Sequence, residues 1–317
     1  MSNTYKIAII GFGSIGKRHF TNISKVLSER EENFSIDVIR HENKTIIEQP
    51  LIDQISRIYI DTEEVPDDYD VIFITNPTHA HFDSILKYIN KTKHLFIEKP
   101  LSDKTSVDIS VLPFKEDSIY YVACPLRYTN TIQYIKNELD LSKVYSARAI
   151  CSSYLPDWRP EQDYRKVYSS QGSKGGGVTL DLIHEWDYLI YLFGLPKQVL
   201  NLRGKFSQLE IDSDDLSVYI AEYNNMLMEV HLDYLGRKPI RELHLLTSED
   251  TIVADIIRGE VRFLKDNKVL SLHEDRDSYQ AKEIHAFFDM IEGKKENEND
   301  IQSAFNTLKV AKGEKVG

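Results

Sequence analysis

Apolar positions along this chain keep two different periods, and the change between them divides it. Up to residue 124, strand-like runs at 5–10, 36–40, 57–60, 71–75, 94–98 and 119–123 alternate with amphipathic segments. The clearest such segment is 81–89, where Phe82, Ile85, Leu86 and Ile89 keep helical spacing. Strands joined by crossovers predict a doubly wound parallel sheet, with any ligand at the carboxyl ends of its strands. After Pro125 the pattern changes. A helix over 131–139 and a strand over 144–154 lead into a polar loop, and a helix over 178–193 is closed by Gly194 and Pro196. Strands then succeed one another at 199–206, 216–223, 226–234, 241–247, 251–257 and 261–264, with Asn224-Asn225 as a hairpin turn. Strands in a row without crossover helices predict an antiparallel sheet, and helices over 279–291 and 300–312 finish the chain. The expectation is an α/β protein of two domains, 1–124 and 125–317.

Composition narrows the partners. The chain has 317 residues, 41% hydrophobic and 28% charged, which suits an ordinary globular protein with room for two cores. Its 39 basic and 50 acidic side chains leave a net charge of −11, which argues against nucleic acid or an anionic membrane as a partner. Cys124 and Cys151 are the only cysteines and lack metal or redox-motif spacing, so no metal is expected and both read as buried, reduced thiols of a cytosolic protein. The first strand begins almost at once, leaving no room for a signal peptide, and no apolar run approaches a membrane span; the expected location is cytoplasmic.

The chemistry begins at the first strand, which runs into GFGSIG at 11–16 and then a helix-like segment. Gly11 permits a tight turn, Gly13 allows close approach of a pyrophosphate, and Gly16 lets the helix pack on the strand; Ser14 and Ile15 begin that helix, whose amino end faces the anion. A glycine turn that binds nothing is the plainer alternative. Two further segments follow the fourth and fifth strands. TNPTHAH at 75–81 supplies Thr75, Asn76, Pro77 and His81, and IEKP at 97–100 supplies Glu98 and Lys99, all at the edge where a nicotinamide ring would lie. An ammonium at Lys99, before a stiffening proline, could hydrogen-bond a substrate oxygen and offset alkoxide charge; otherwise it is a turn lysine. In the second half, GGGVTLDLIHEWD at 175–187 puts Asp181 and His184 three apart on one helical face. An imidazole there can exchange a proton with a hydroxyl, but taken alone the pair reads more readily as a helix with a satisfied, buried histidine.

Taken together and in order, these segments, with LRYTN at 126–130, resemble the glucose–fructose oxidoreductase, inositol dehydrogenase and rhizopine-catabolism family (Gfo/Idh/MocA) over nearly the whole chain. The resemblance implies an N-terminal Rossmann domain and a C-terminal α+β domain with a large, open, mainly antiparallel sheet that serves for oligomerisation as a homodimer or homotetramer. It implies NAD(P)-dependent oxidation or reduction of a sugar, cyclitol or nucleotide-sugar. Lys99 matches the family's catalytic lysine, and Asp181 and His184 match its acidic and histidine partners. Inositol dehydrogenase-like members usually place the histidine four residues after the aspartate, whereas here the gap is three, which leaves open whether Asp181 faces substrate or supports the helix. Relatives that use a tightly held NAD to cleave glycosides, or a non-catalytic cofactor sensor, are the alternative readings.

Cofactor choice turns on the end of the second strand. Arg40 stands where NAD-specific sites carry a carboxylate, and a guanidinium can grip a 2′-phosphate, so NADP(H) is favoured over NAD(H). Glu42, two residues on, keeps NAD(H) possible. For the substrate, Trp158 and Tyr164 suit the apolar faces of a sugar, and Arg127, Tyr128, Arg159 and Arg165 could orient it or hold an anionic group. The same aromatic loop could equally be packing or an oligomer contact.

Overall fold

The computed structural model describes residues 4–41, 49–61 and 64–316, so Glu42 lies outside the described residues. Two compact units make up the chain. The first comprises Met1–Ala123 and Gln280–Ala304. It holds strands β1 (Thr4–Ile10), β2 (Asn33–Arg40), β3 (Arg57–Ile60), β4 (Tyr69–Ile74), β5 (Thr92–Ile97) and β6 (Tyr120–Val122) in the order β3-β2-β1-β4-β5-β6. All neighbours are parallel, as expected of the doubly wound sheet. Ile7, Ile9, Val71, Phe73, Leu95 and Phe96 are wholly buried, because strands covered on both faces need apolar residues at successive positions.

Strand order reverses between β1 and β4, the switch point at which open α/β sheets leave a crevice at their carboxyl ends. Helix α1 (Ser14–Glu29) follows β1 directly and buries Phe20, Ile23, Val26 and Leu27; α2 (Gln49–Ile52) and α3 (His81–Tyr88) follow later. The outer edge of β6 is not left open. The Val122 N–H donates to the Asn299 carbonyl at 2.9 Å, and Asn299 Nδ2 donates back to Val122 O at 2.7 Å, so a returning segment satisfies the edge.

The second unit comprises Cys124–Tyr279 and Phe305–Gly317. After α4 (Asn130–Glu138), strand β7 (Val144–Ser152) precedes two short helices, α5 (Val178–Asp181) and α6 (His184–Phe193). Strands β8 (Gln198–Gly204), β9 (Leu216–Glu222), β10 (Leu227–Asp233), β11 (Ile240–Thr247), β12 (Thr251–Asp255), β13 (Glu260–Phe263) and β14 (Lys268–Ser271) complete an eight-stranded sheet of order β14-β13-β12-β11-β7-β10-β9-β8. Within this sheet only β7 and β10 pair in parallel among the described residues, so it is mainly antiparallel as expected. The chain ends with α7 (Arg276–Ile291) and α8 (Ile301–Ala311), and no described helix is long and apolar enough to cross a membrane.

Two expectations change. The helix predicted over 178–193 is broken: Leu182 leaves helical geometry at φ −100° and ψ 25°, so Asp181 ends α5 and His184 begins α6. Strand β14 was not anticipated, because Lys268–Ser271 lacks the run of apolar residues that marks its neighbours. One sheet face is buried through Ala147, Ala149, Val230, Leu232, Leu243 and Leu245. The other carries a register-matched row, Leu200, Ile220, Glu229, Arg148, His244, Val253, Arg262 and Val269, one residue per strand.

Candidate functional site

In the first unit the turns that follow β1, β4 and β5 interlock. Gly11 has φ +84°, and a Cβ there would lie 2.8 Å from the Asn76 backbone; on Gly16 it would overlap the Gly11 carbonyl oxygen and approach Thr75 Oγ1. These two glycines are therefore required by packing. Gly13 differs: its Cβ would meet nothing within 4 Å. It precedes α1 as a cap without a side-chain hydrogen bond, so the helix, which begins with Ser14 and Ile15, starts without a side-chain cap on its first N–H groups.

Thr75 Oγ1 donates to the Ile10 and Gly11 carbonyls at 3.0 and 2.8 Å, fastening the end of β4 to the glycine turn. Asn76 Nδ2 donates to Ser84 Oγ at 2.7 Å, whereas its Oδ1 is buried with no partner. Pro77 begins the exposed start of the 3-10 turn at Thr78–Ala80. His81 is fully buried, with Nε2 at 2.8 Å from the Asn76 carbonyl and Nδ1 at 2.8 Å from the Pro100 carbonyl. It thus clips the turn after β4 to the one after β5. Burial holds its imidazole below the usual histidine range despite those two carbonyls, so the neutral ring donates to only one of them at a time.

Glu98 Oε1 lies 2.5 Å from His19 Nε2 on α1. Burial pushes the Glu98 carboxyl up, but the His19 hydrogen bond and the charges of His19 and Lys99 outweigh it and leave it below the usual carboxylate range. The result is an anion beside Lys99, which is partly exposed and precedes a cis Pro100. Arg40 closes β2 and is 7% exposed, and the Asp61 N–H donates to its carbonyl at 2.7 Å. The nearby carboxylate of Asp61 is taken up by Lys87 and by the Tyr88 hydroxyl.

In the second unit the chemistry centres on Asp181. Tyr168 and Tyr234 donate to its two oxygens at 2.7 and 2.5 Å. Burial, reinforced by the Asp181 carboxylate, holds both phenols well above the ordinary tyrosine value, so they remain protonated donors. The Trp158 ring meets Tyr234 edge-on at 5.2 Å while its Nε1 donates to Ser153 Oγ. His184, partly exposed, starts the next helix. The following residues pin that helix: Glu185 accepts from Arg241 Nε at 2.7 Å, and Asp187 accepts from Arg127. Arg127 and Tyr128 are both buried. Arg165 is held by Asp163 and Glu210, and the Tyr164 hydroxyl accepts from the Glu210 N–H at 3.3 Å. Arg159 is exposed. Cys124 and Cys151 are buried and form no disulfide among the described residues, and burial pushes the Cys151 thiol up to about 12, which leaves it unreactive at neutral pH.

Sequence reasoning missed His19, Tyr168 and Tyr234. His19 carries a faint signal, being three residues past Gly16 on the helix that leaves the glycine turn. The two tyrosines, 13 and 53 residues from Asp181, carry none, since only the fold brings them to it.

Comparison with known proteins agrees with this geometry. An oxidoreductase family with an NAD-binding Rossmann fold, GFO_IDH_MocA, matches residues 5–110. An uncharacterized oxidoreductase, YrbE, of Bacillus subtilis is 27% identical over 238 residues, covering 73% of this chain and 67% of the relative. The inositol 2-dehydrogenase of Salmonella typhimurium is 22% identical over 312 residues, covering 91% and 86%. Among solved structures, a levoglucosan dehydrogenase in complex with NADH and levoglucosan superposes with a TM-score of 0.81 at 16% identity, covering 98% of this chain and 96% of that one; the likeness is one of fold.

Proposed function

We propose that this chain is an oxidoreductase of the Gfo/Idh/MocA type, as the family match over residues 5–110 and the oxidoreductase relatives support, and that it moves a hydride between a nicotinamide dinucleotide and the CH–OH carbon of a sugar, cyclitol or nucleotide-sugar. The observation that carries this reading is the open backbone at Gly13, set beside turns that Thr75 and His81 lock together. The residues present fit a dinucleotide. The uncapped start of α1 and the space over Gly13 suit a pyrophosphate, and the unpartnered Asn76 Oδ1 is an acceptor waiting for a donor.

The first unit is assigned to cofactor binding, through Gly11, Gly13, Ser14, Ile15, Gly16, Thr75, Asn76 and Pro77; the second is assigned to substrate and oligomer contacts. When bound, the nicotinamide supplies or takes up the hydride. In oxidation, the role proposed for His184 is to accept a hydroxyl proton on a ring nitrogen, and the role proposed for the Lys99 ammonium is to donate a hydrogen bond that offsets developing alkoxide charge. Reduction reverses both transfers. Asp181, fixed by its two tyrosines, orients the start of α6 or the substrate; Arg127 and Tyr128 support from within. NADP(H) is proposed over NAD(H), because β2 ends in Arg40 rather than in a carboxylate while the Asp61 carboxylate is already engaged by Lys87 and Tyr88.

A second copy of this chain is the proposed partner for the open sheet face. Leu200, Leu202, Ile220 and Leu227 form an exposed apolar flank, with Leu202 79% exposed, beside charges that pair within the face as Arg148–Glu229 and Arg262–Glu242. An apolar flank with internally balanced charge suits a self-complementary contact. The deciding experiment titrates NADPH and NADH against the purified protein, then follows nicotinamide absorbance over a panel of sugars, cyclitols and nucleotide-sugars. Tighter NADH binding would remove the NADP assignment, and cofactor reduction with none of the panel would remove the activity.

A further inference from the structure

The arginines of the second unit divide by what neutralises them. Arg127, Arg148, Arg165, Arg241, Arg258 and Arg262 each lie within ion-pair distance of a carboxylate. Arg165, a sequence candidate for holding an anion, is thereby already committed. Arg159, Arg203, Arg237 and Arg276 are exposed and show no such pair among the described residues, and of these Arg159 and Arg237 lie close in sequence to residues of the Asp181 cluster. The Arg237 guanidinium lies 3.6 Å over the Tyr154 ring, and the charge of Arg159 is felt at the Tyr168 hydroxyl.

Both positions are tied to the Asp181 cluster. Arg159 directly follows Trp158, whose ring packs on Tyr234, and Arg237 lies three residues beyond Tyr234. Tyr168 and Tyr234 in turn hold Asp181. Two of the four exposed arginines of this unit that lack a carboxylate partner among the described residues are therefore tied to one hydrogen-bonded cluster. In a chain of net charge −11, exposed guanidiniums have carboxylates available as partners over much of the surface. A planar guanidinium left over is suited to a two-point grip on a carboxylate or phosphoryl group, and its stacking on an aromatic ring holds the fork in place.

We propose that Arg159 and Arg237 bind an anionic group, carboxylate or phosphoryl, on the sugar substrate, so that the second unit selects acidic or phosphorylated sugars over neutral ones. This rests on the sugar-oxidoreductase reading and adds the substrate class to it. Carboxylate and phosphoryl present the same chemistry to the two forks, and the probes below separate them.

The test is calorimetric titration of the cofactor-saturated protein with glucuronate, glucose 6-phosphate and UDP-N-acetylglucosamine, set against glucose and myo-inositol as neutral rings. At least one anionic probe should bind roughly tenfold tighter than the neutral rings, and added salt should narrow the gap. Arg159→Gln and Arg237→Gln should each shrink it several-fold, and the double variant should abolish it. Both side chains are exposed, so the variants should melt with the parent protein. Equal binding of neutral and anionic rings, a gap that survives in the double variant, or no binding of any probe overturns the proposal. If the gap appears but no probe is oxidised or reduced, the oxidoreductase reading fails instead and the anion site stands.

Discussion

Arg127 and Asp187 form a buried two-pronged ion pair, with Nε 3.0 Å from Oδ2 and Nη2 2.8 Å from Oδ1. The guanidinium also lies over the Tyr191 ring, 5.1 Å from its centroid. Asp187 stands one turn after His184, and Glu185, between them, is held by Arg241. Two long-range charge pairs thus fix the first turn of α6, the turn that begins with the proposed proton acceptor. A buried pair contributes little net stability but is costly to break on one side.

The Asp187→Ala variant leaves the Arg127 charge buried and alone. Its stability should fall by about 3–5 kcal/mol, read as a lower urea midpoint. Replacing both residues, as Arg127→Met with Asp187→Leu, should recover most of that loss while turnover stays low, because the apolar pair packs without fixing the helix start. Full activity in the double variant would deny the pair any part in orienting His184.

Gly13 and Gly16 should respond oppositely to alanine. Gly16→Ala forces a Cβ into the Gly11 carbonyl and should destabilise the protein even without ligand. Gly13→Ala places its Cβ in open space at an ordinary φ of −78°, so the melting temperature should hold while dinucleotide affinity falls roughly tenfold or more. Thermal melts with and without cofactor separate the two. Unchanged cofactor binding by Gly13→Ala would locate the pyrophosphate elsewhere.

Lys99→Ala should lower kcat by roughly 10²–10³ with dinucleotide affinity changed little, since its ammonium is assigned to the substrate oxygen. His184→Ala should cost about 10²–10⁴ and lose the acidic limb of the pH–rate profile. Retention of full activity by either variant would remove that side chain from the mechanism.

Tyr168→Phe and Tyr234→Phe each withdraw one hydroxyl donor from the buried Asp181 carboxylate. A hydrogen bond to a charged group is worth about 1.5–3 kcal/mol, so each variant should unfold at lower urea. The double variant should lose less than the sum, because both bonds serve one carboxylate. A strictly additive loss would mean that the hydroxyls act separately.

His94 makes stability depend on pH. Its Nδ1 accepts the Ile119 N–H at 2.9 Å, and burial, assisted by Lys93, holds its pKa down at about 4 against 6.5 for an ordinary histidine. Between those values the unfolded chain binds a proton that the folded chain excludes, so stability rises with pH across the window and is lost as pH falls through it. The contribution is on the order of 2 kcal/mol after a discount for partial screening. Urea unfolding from pH 4 to 7 should show this slope, and His94→Gln should flatten it.

The parallel sheet, the turn at Gly11–Gly16 and the segments bearing Lys99 and His184 were legible because each rests on a local rule. Alternating or continuous apolar runs reveal strands, and glycine spacing reveals a turn that can approach a phosphate. The same rules misjudged residues 178–193. An unbroken helical pattern says nothing of the break at Leu182, and Asp214, which caps α5 through the Thr179 N–H at 3.0 Å, is 35 residues away. Strand β14 escaped for a related reason: an edge strand is held mainly by hydrogen bonds to its neighbour and needs little apolar signal.

Periodicity and turn chemistry, which depend on neighbours within a few residues, were enough to determine the element types, the two sheet styles and the order of the candidate motifs. Tertiary structure alone decided which charges are already satisfied. Arg127 reaches Asp187 across 60 residues and Arg165 reaches Glu210 across 45, while Arg237 lies over the Tyr154 ring. Electrostatic interaction depends on distance and desolvation in the folded state, and the spacing of residues along a chain specifies neither.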